Sequence, residues 1–233
     1  MEKVKYKTII ISDLHVGTPD CKIDEIMHFL ENTECEKLIL NGDIFDVWYI
    51  RLRSKWMKRH TRFARHVLKR IEEENLEVIY IRGNHDDILQ NLLPFETENL
   101  KILNEHIHET PKGEKYLVVH GDGFDVVSTY YKWLEFMGSI GYQTLLRLNR
   151  YYNKYREWRG KEYFSLSRKV KSKVKGAVNQ ISNLENELEK MAKRKGCDGV
   201  ICGHTHIPED KMINDVRYLN SGDWVEVKSA LVE

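Results

Sequence analysis

Five times along this chain of 233 residues, a short apolar run rich in β-branched residues ends beside a metal-ligand or acid–base residue. The five segments are Asp13-Leu14-His15, Gly42-Asp43, Gly83-Asn84-His85-Asp86, His120-Gly121-Asp122 and Gly203-His204-Thr205-His206. They close the runs Ile9-Ile10-Ile11-Ser12, Leu38-Ile39-Leu40-Asn41, Val78-Ile79-Tyr80-Ile81, Tyr116-Leu117-Val118-Val119 and Gly199-Val200-Ile201-Cys202. Such runs read as buried strands, and five of them would carry Asp, His and Asn to one edge of a sheet. Gly42, Gly83, Gly121 and Gly203 each lie within two residues of such a side chain. A residue without Cβ lets the backbone turn sharply and approach an ion or a phosphate.

Between the strands the pattern turns helical. A helix is expected over 24–31, and a basic one over roughly 54–74, where Trp56, Phe63, Val67 and Ile71 recur at helical spacing. Further strands are expected at 37–40, 77–81, 116–119 and 199–202, with a closing pair near 217–219 and 225–232. Strands alternating with helical stretches define an α/β fold. The interval from about 125 to 195 differs: it lacks Pro and is helical in period almost throughout. Residues 124–164 alone hold twelve of the chain's twenty-four aromatics. The expected organisation is one domain over 1–233, interrupted at about 125–195 by a helical cap.

No apolar run approaches the roughly 18 residues that cross a bilayer. The first segment starts at Asp13, leaving no room for a cleavable apolar leader, so a cytoplasmic location is expected. Cys21, Cys35, Cys197 and Cys202 show no CxxC spacing and read as free thiols. The formal net charge of +1 hides two basic stretches. Residues 51–70 carry nine Lys/Arg and no Asp/Glu, and 147–175 carry eleven against Glu157 and Glu162, so the remainder is acidic. This asymmetry points to a polyanionic partner or an anionic membrane surface.

Asp13 and His15, like His204 and His206, stand two apart, which at a strand end would aim both side chains to one face. Carboxylate with imidazole suits Mn²⁺, Zn²⁺ or Fe better than Ca²⁺ or Mg²⁺ alone. Asp46 and Asp122 read as caps or supporting partners of ligands. His106 and His108 read as an exposed strand edge, and His60 and His66 as surface residues of the basic helix. Cys202, by alternation, faces the core.

Taken in order, the five segments resemble the calcineurin-like metallophosphoesterase superfamily over essentially the whole chain outside the insertion. The resemblance implies a two-sheet α/β/β/α sandwich with a helical lid and two divalent metal ions, Mn²⁺ first, with Zn²⁺ or Fe as alternatives. One ion would be held by Asp13, His15, Asp43 and His206, and the other by Asp43, Asn84, His120 and His204, with Asp43 bridging. His85 would stabilise or protonate the leaving oxygen, and Asp86 would orient it or its neighbours. Two divalent ions against two carboxylates and neutral donors leave a positive centre suited to phosphate. Such a pair supplies an activated water and a clamp on phosphoryl oxygens.

Within that superfamily the chain looks like the UDP-2,3-diacylglucosamine pyrophosphatases of lipid A synthesis. The insertion follows His120-Gly121-Asp122, Ser165-Leu166-Ser167 and a Lys-rich stretch precede Gly203-His204-Thr205-His206, and Ser221-Gly222-Asp223-Trp224 follows it. The implied reaction releases UMP and a 2,3-diacylglucosamine 1-phosphate. Asp122, Arg147, Tyr151, Lys169 and Lys173 are the candidate substrate contacts. Aromatics interleaved with Lys/Arg could also grip acyl chains and lie peripherally against anionic headgroups. One position departs: that group commonly places Arg after the ligating Asn, and this chain has His85, the general superfamily form. A nuclease or other phosphodiesterase, with basic segments tracking a nucleic acid, is the alternative. A non-catalytic scaffold is a third reading, against which the complete ligand set stands.

Overall fold

The computed structural model describes residues 3–53, 56–124, 152, 155–156, 158–160 and 184–233. The chain divides into two compact units, Met1–Asp122 with Asn186–Glu233, and Gly123–Glu185.

The first unit is an α/β fold with two mixed sheets. One sheet holds β1 (Val4–Ile11), β2 (Thr33–Asn41), β3 (Glu77–Ile81), β4 (Phe95–Glu96), β5 (Leu100–Leu103) and β11 (Leu231–Val232), in the order β11-β1-β2-β3-β5-β4. The other holds β6 (Glu105–Glu109), β7 (Lys115–Val119), β8 (Gly199–Cys202), β9 (Glu209–Ile213) and β10 (Val216–Asn220), in the order β6-β7-β8-β10-β9. Strands β1, β2, β3 and β5 run parallel, as do β7, β8 and β10, and antiparallel strands close all four edges.

Alternation along the central strands explains the layering. Ile9, Ile11, Leu38, Leu40, Val78 and Tyr80 face one way, into a core shared with helices α1 (Ile23–Asn32) and α3 (Lys58–Glu74). Those helices contribute Ile26, Met27, Leu30, Phe63 and Val67. Ile10, Ile39, Ile79 and Ile81 face the other way and meet Tyr116, Val118 and Ile201 of the second sheet. Strands buried on both faces need continuous apolar runs, and these segments have them. A short helix, α2 (Val47–Arg53), precedes α3, and α4 (184–194) precedes β8. Glu189 of α4 accepts from Asn214 at the β9–β10 turn, and Lys195 beyond it pairs with Glu105 of β6.

Several expectations shift. The basic helix begins at Lys58, because His60 turns back and its Nδ1 accepts the Met57 N–H at 3.2 Å. His60 is therefore buried. His108 lies on edge strand β6 as expected, yet is only 3% exposed, since its ring faces the space between the sheets and meets Glu233 at 3.2 Å. The expected strand at 225–232 shrinks to Leu231–Val232, because residues 224–227 form a turn around Asp223. Strands β5, β6 and β9 have short or polar-alternating sequences that carry little signal. None of the four cysteines forms a disulfide, and Cys202 is fully buried with its Sγ donating to the Tyr218 hydroxyl.

In the second unit, Tyr152, Tyr155 and Trp158 are helical and exposed. The guanidinium of Arg156 lies 5.7 Å from the Tyr152 ring centre, and that of Arg159 lies 5.9 Å from Tyr155. This is a cation–π ladder on an aromatic surface.

Candidate metal centre

Parallel strands place their carboxyl ends on one edge, where α/β folds bind ligands. Here β1, β2, β3, β7 and β8 each run directly into one of the five segments. Backbone hydrogen bonds lock the segments together: Asp13 N–H to Gly42 O at 3.1 Å, His15 N–H to Asp43 O at 2.9 Å, and Gly203 N–H to His120 O at 3.1 Å. Asn41 spans the two sheets, donating from Nδ2 to Val119 O at 3.0 Å while its own carbonyl meets His120 Nδ1 at 2.9 Å.

Asp13, His15, Asp43, His204 and His206 all have φ between 46° and 64°. The left-handed region costs a non-glycine residue about 1–3 kcal/mol and persists where a site requires it. Five of the eight such residues among those described are concentrated in these segments. This corrects the strand-face reading of the Asp-x-His and His-x-His pairs. Both lie beyond the last strand residue, and left-handed turns, rather than pleating, converge their side chains.

The convergence is tight. Asp13, His15 and His206 form one cluster whose donor atoms lie within 4.8 Å of each other, and Asp43, His120 and His204 form another. His15, Asp43 and His85 make a third, overlapping group. Asp43 sits at the middle: its Oδ2 lies 3.4 Å from His120 Nε2, 3.9 Å from His15 Nε2 and 4.0 Å from His85 Nε2. His206 Nε2 lies 3.2 Å from Asp13 Oδ1 and 3.4 Å from His15 Nε2.

The donor set fits divalent cations. Asp13 Oδ1, Asn84 Oδ1, His120 Nε2 and His204 Nε2 are all buried without a hydrogen-bond partner. An unsatisfied buried polar atom is costly, and four of them on proposed ligands are explained by ions that would receive their lone pairs. Glycines make the required room. A Cβ on Gly42 would enter the His120 ring, and one on Gly83 would strike Asp43 Oδ1 and its backbone nitrogen.

Electrostatics point the same way. Burial pushes the Asp13 carboxyl up, but the charge of His206 outweighs it and holds the group at about 2. Burial likewise opposes ionisation of Asp43, yet His120, His15 and His85 keep it far below the usual carboxylate range. Burial lowers His120, but Asp43 and Asp13 raise it to about 10, and His206 is raised by Asp13 and Asp223 against the same burial. Burial and the neighbouring His120 charge leave His204 at about 4. The metal-free centre is thus two carboxylates compensated by protons on imidazoles, which a metal ion would displace.

Supporting groups surround the ligands. Asp46 Oδ2 meets His85 Nδ1 at 2.9 Å and His15 Nδ1 at 3.4 Å, while Oδ1 accepts the Tyr49 N–H at the start of α2. Asp46 therefore caps a helix and orients two histidines. Asp86 lies elsewhere: it accepts from Gly83 N–H, Ile44 N–H and the Tyr80 hydroxyl at 2.6, 3.0 and 2.6 Å. It pins the backbone just after Asp43 and just before Asn84, so it orients the neighbours of His85 rather than its ring. Trp48 stands over His85 with ring centres 5.1 Å apart. Asp122 pairs with Arg82 at 2.8 Å. Arg147, Tyr151, Lys169 and Lys173 lie outside the described residues.

Sequence reasoning missed Arg82, Trp48 and the role of Asp223, whose Oδ2 meets His206 Nδ1 at 3.0 Å. The sign available for Asp223 was its place in the Ser221-Gly222-Asp223-Trp224 segment after β10, a strand that brings no ligand of its own.

Residues 6–208 match the family model described as calcineurin-like phosphoesterase, and the chain belongs to that family. It is a metal-dependent phosphoesterase, with His/Asp clusters consistent with a binuclear site. It is similar to a UDP-2,3-diacylglucosamine hydrolase of Aliivibrio fischeri, 25% identical over 234 residues, covering 96% of this chain and 92% of that protein. A protein of the same name from Vibrio atlanticus is 24% identical over 243 residues, covering 97% and 93%. Among solved structures, an archaeal phosphodiesterase aligns at 17% identity and a TM-score of 0.42, over 97% of this chain and 99% of that one. Yfce, a phosphoesterase from E. coli, aligns at 16% identity and a TM-score of 0.42, over 93% and 79%.

Proposed function

We propose that this chain hydrolyses the pyrophosphate bond of UDP-2,3-diacylglucosamine, releasing UMP and 2,3-diacylglucosamine 1-phosphate. The observation that carries the substrate is the near full-length similarity to proteins named for that hydrolysis. Asp13, His15, Asp43 and His206 would hold one ion, and Asp43, Asn84, His120 and His204 the other, with Mn²⁺ the preferred occupant on donor chemistry. When bound, the ions activate water and neutralise the phosphoryl oxygens.

The chain's own residues do the rest. His85, held at Nδ1 by Asp46, turns Nε2 toward the centre, where it donates a proton to the departing oxygen. Asp86 fixes the turns that carry Asp43 and Asn84. Arg82, anchored by Asp122, brings positive charge beside the Gly83 turn, where its Nη1 donates to Gly83 O at 3.0 Å. Exposed Trp48 on α2 supports an apolar moiety near His85. The aromatic, cationic helix of the second unit suits acyl chains and a peripheral position on the cytoplasmic face of an anionic membrane. Within the inserted segment, Arg147, Tyr151, Lys169 and Lys173 are the proposed substrate contacts.

His85 itself favours a second reading, a phosphodiesterase acting on another nucleotide or nucleic acid, since it follows the general superfamily form. One experiment separates the two. Mn²⁺-loaded protein is offered UDP-2,3-diacylglucosamine, single-stranded DNA and bis(4-nitrophenyl) phosphate side by side. UMP release from the first with intact DNA is expected. DNA cleavage abolished by Asp43→Ala, without UMP release, supports the second reading.

A further inference from the structure

We propose that Asp223 is a positioning residue that holds the imidazole of His206 in its metal-binding tautomer, and so sets the affinity of one of the two ion sites. The inference rests on His206 being a ligand, as proposed above, and adds a residue outside the five ligand-bearing segments.

Asp223 works with both oxygens. Oδ2 lies 3.0 Å from His206 Nδ1. Oδ1 accepts three successive backbone N–H groups, from Val225 at 3.2 Å, Glu226 at 2.9 Å and Val227 at 2.8 Å. Asp223 is 1% exposed, and its carboxylate orientation is fixed by donors on both sides. With Nδ1 donating to Oδ2, Nε2 is the nitrogen left for a metal ion, and it faces Asp13 Oδ1 and His15 Nε2, at 3.2 and 3.4 Å. The segment is tied to the same ligand cluster by its backbone, because Trp224 N–H donates to Asp13 O at 3.1 Å.

The two ion sites are supported unequally. The His120 ring is fully buried and held by the Asn41 carbonyl at 2.9 Å. The His206 side chain is 23% exposed, the most open of the histidines measured in these clusters, and a carboxylate holds it. An open ligand loses more from a free ring than an enclosed one. Partners of ligating histidines are worth about 10–100-fold in metal affinity.

The Asp223→Asn variant is diagnostic. Three N–H donors already point at the Oδ1 position, so the amide oxygen must take that place and its NH₂ must face His206 Nδ1. An NH₂ group can only donate, so Nδ1 becomes the acceptor and the proton moves to Nε2, where the ion should bind. Asp223→Asn therefore keeps the turn at 224–227 and selects the wrong tautomer. Asp223→Ala loses the turn's acceptor and leaves the ring unguided.

The test is Mn²⁺ binding to metal-stripped, full-length protein by calorimetry, with thermal melting of the same samples. The parent should bind two ions. Asp223→Asn should weaken one of them by about 10–100-fold, at least as much as Asp223→Ala does, while melting closer to the parent than the Ala variant. Parent-like binding of both ions by Asp223→Asn, or equal loss of both, overturns the proposal. His206→Ala separates this from the ligand assignment. If it binds two ions like the parent, the assignment of His206 itself is wrong. If it loses one while Asp223→Asn keeps both, only the positioning role fails.

Discussion

Replacing Asp46 by Ala separates the orientation of His85 from metal retention, and the structure sets the size of each effect. Asp46 makes one short contact to His85 Nδ1 at 2.9 Å, one long contact to His15 Nδ1 at 3.4 Å, and one cap to Tyr49 N–H at 2.8 Å. A hydrogen bond to a charged group contributes about 1.5–3 kcal/mol, and each 1.4 kcal/mol is about tenfold in rate, so a loose His85 ring should cost roughly 10–100-fold in kcat. Loss of the helix cap adds about 0.5–2 kcal/mol of destabilisation, or several degrees in Tm for a chain of this size. The bond to His15 is long and Asp43 is untouched, so both ions should remain. The assay is turnover of bis(4-nitrophenyl) phosphate by the Mn²⁺-loaded variant, with metal counted by mass spectrometry and stability read by melting. A variant that melts early but turns over within about threefold of the parent, with two ions bound, would refute the reasoning. The ring would then be oriented by its packing against Trp48 alone.

His85→Ala should keep both ions and lose about 10²–10⁴-fold in kcat; loss of an ion would make His85 a ligand instead. Gly83→Ala should reduce metal binding as strongly as Asp43→Ala, because the new methyl occupies the space of the Asp43 carboxylate; parent-like stoichiometry in the Gly83 variant would contradict this. Metal loading should release protons. In metal-free protein at pH 8, His120, raised to about 10, is charged, and His204 at about 4 is neutral, while Asp13 and Asp223 raise His206 well above its usual value. Calorimetry in buffers of different ionisation heat should therefore report net proton release on metal binding, falling as pH climbs past about 10, and no buffer dependence would count against it. By the same sign, the stabilisation of the metal-free fold by the His120–Asp43 pair is full below the unfolded value near pH 6.5 and is lost as pH rises through about 10.

Much of the site was legible because strand ends are written in short, strong patterns. Ile9-Ile10-Ile11 and Val78-Ile79-Tyr80-Ile81 can only be double-faced buried strands, and the residues that leave them must lie at the sheet edge. The means of convergence was not legible. Left-handed φ at Asp13, His15, Asp43, His204 and His206 is imposed by tertiary contacts such as His15 N–H to Asp43 O, which no local sequence encodes. Orienting carboxylates were hidden for a similar reason. Asp46 could be read as a cap, which it is, but its second oxygen serves histidines 31 and 39 residues away. Asp223 reaches His206 only because β10 lies parallel beside β8. His60 and His108 read as surface residues because polar residues in a basic helix and an alternating strand usually are. Each is buried by one specific partner, the Met57 N–H and Glu233.

The central claim is that this centre acts as a pair of ions joined by Asp43. Titrating metal-free protein with Mn²⁺ while following hydrolysis of bis(4-nitrophenyl) phosphate tests it most directly. Activity should stay low through the first equivalent, rise with the second and be absent in Asp43→Ala. Full activity at one equivalent, or parent-like activity without Asp43, would contradict it.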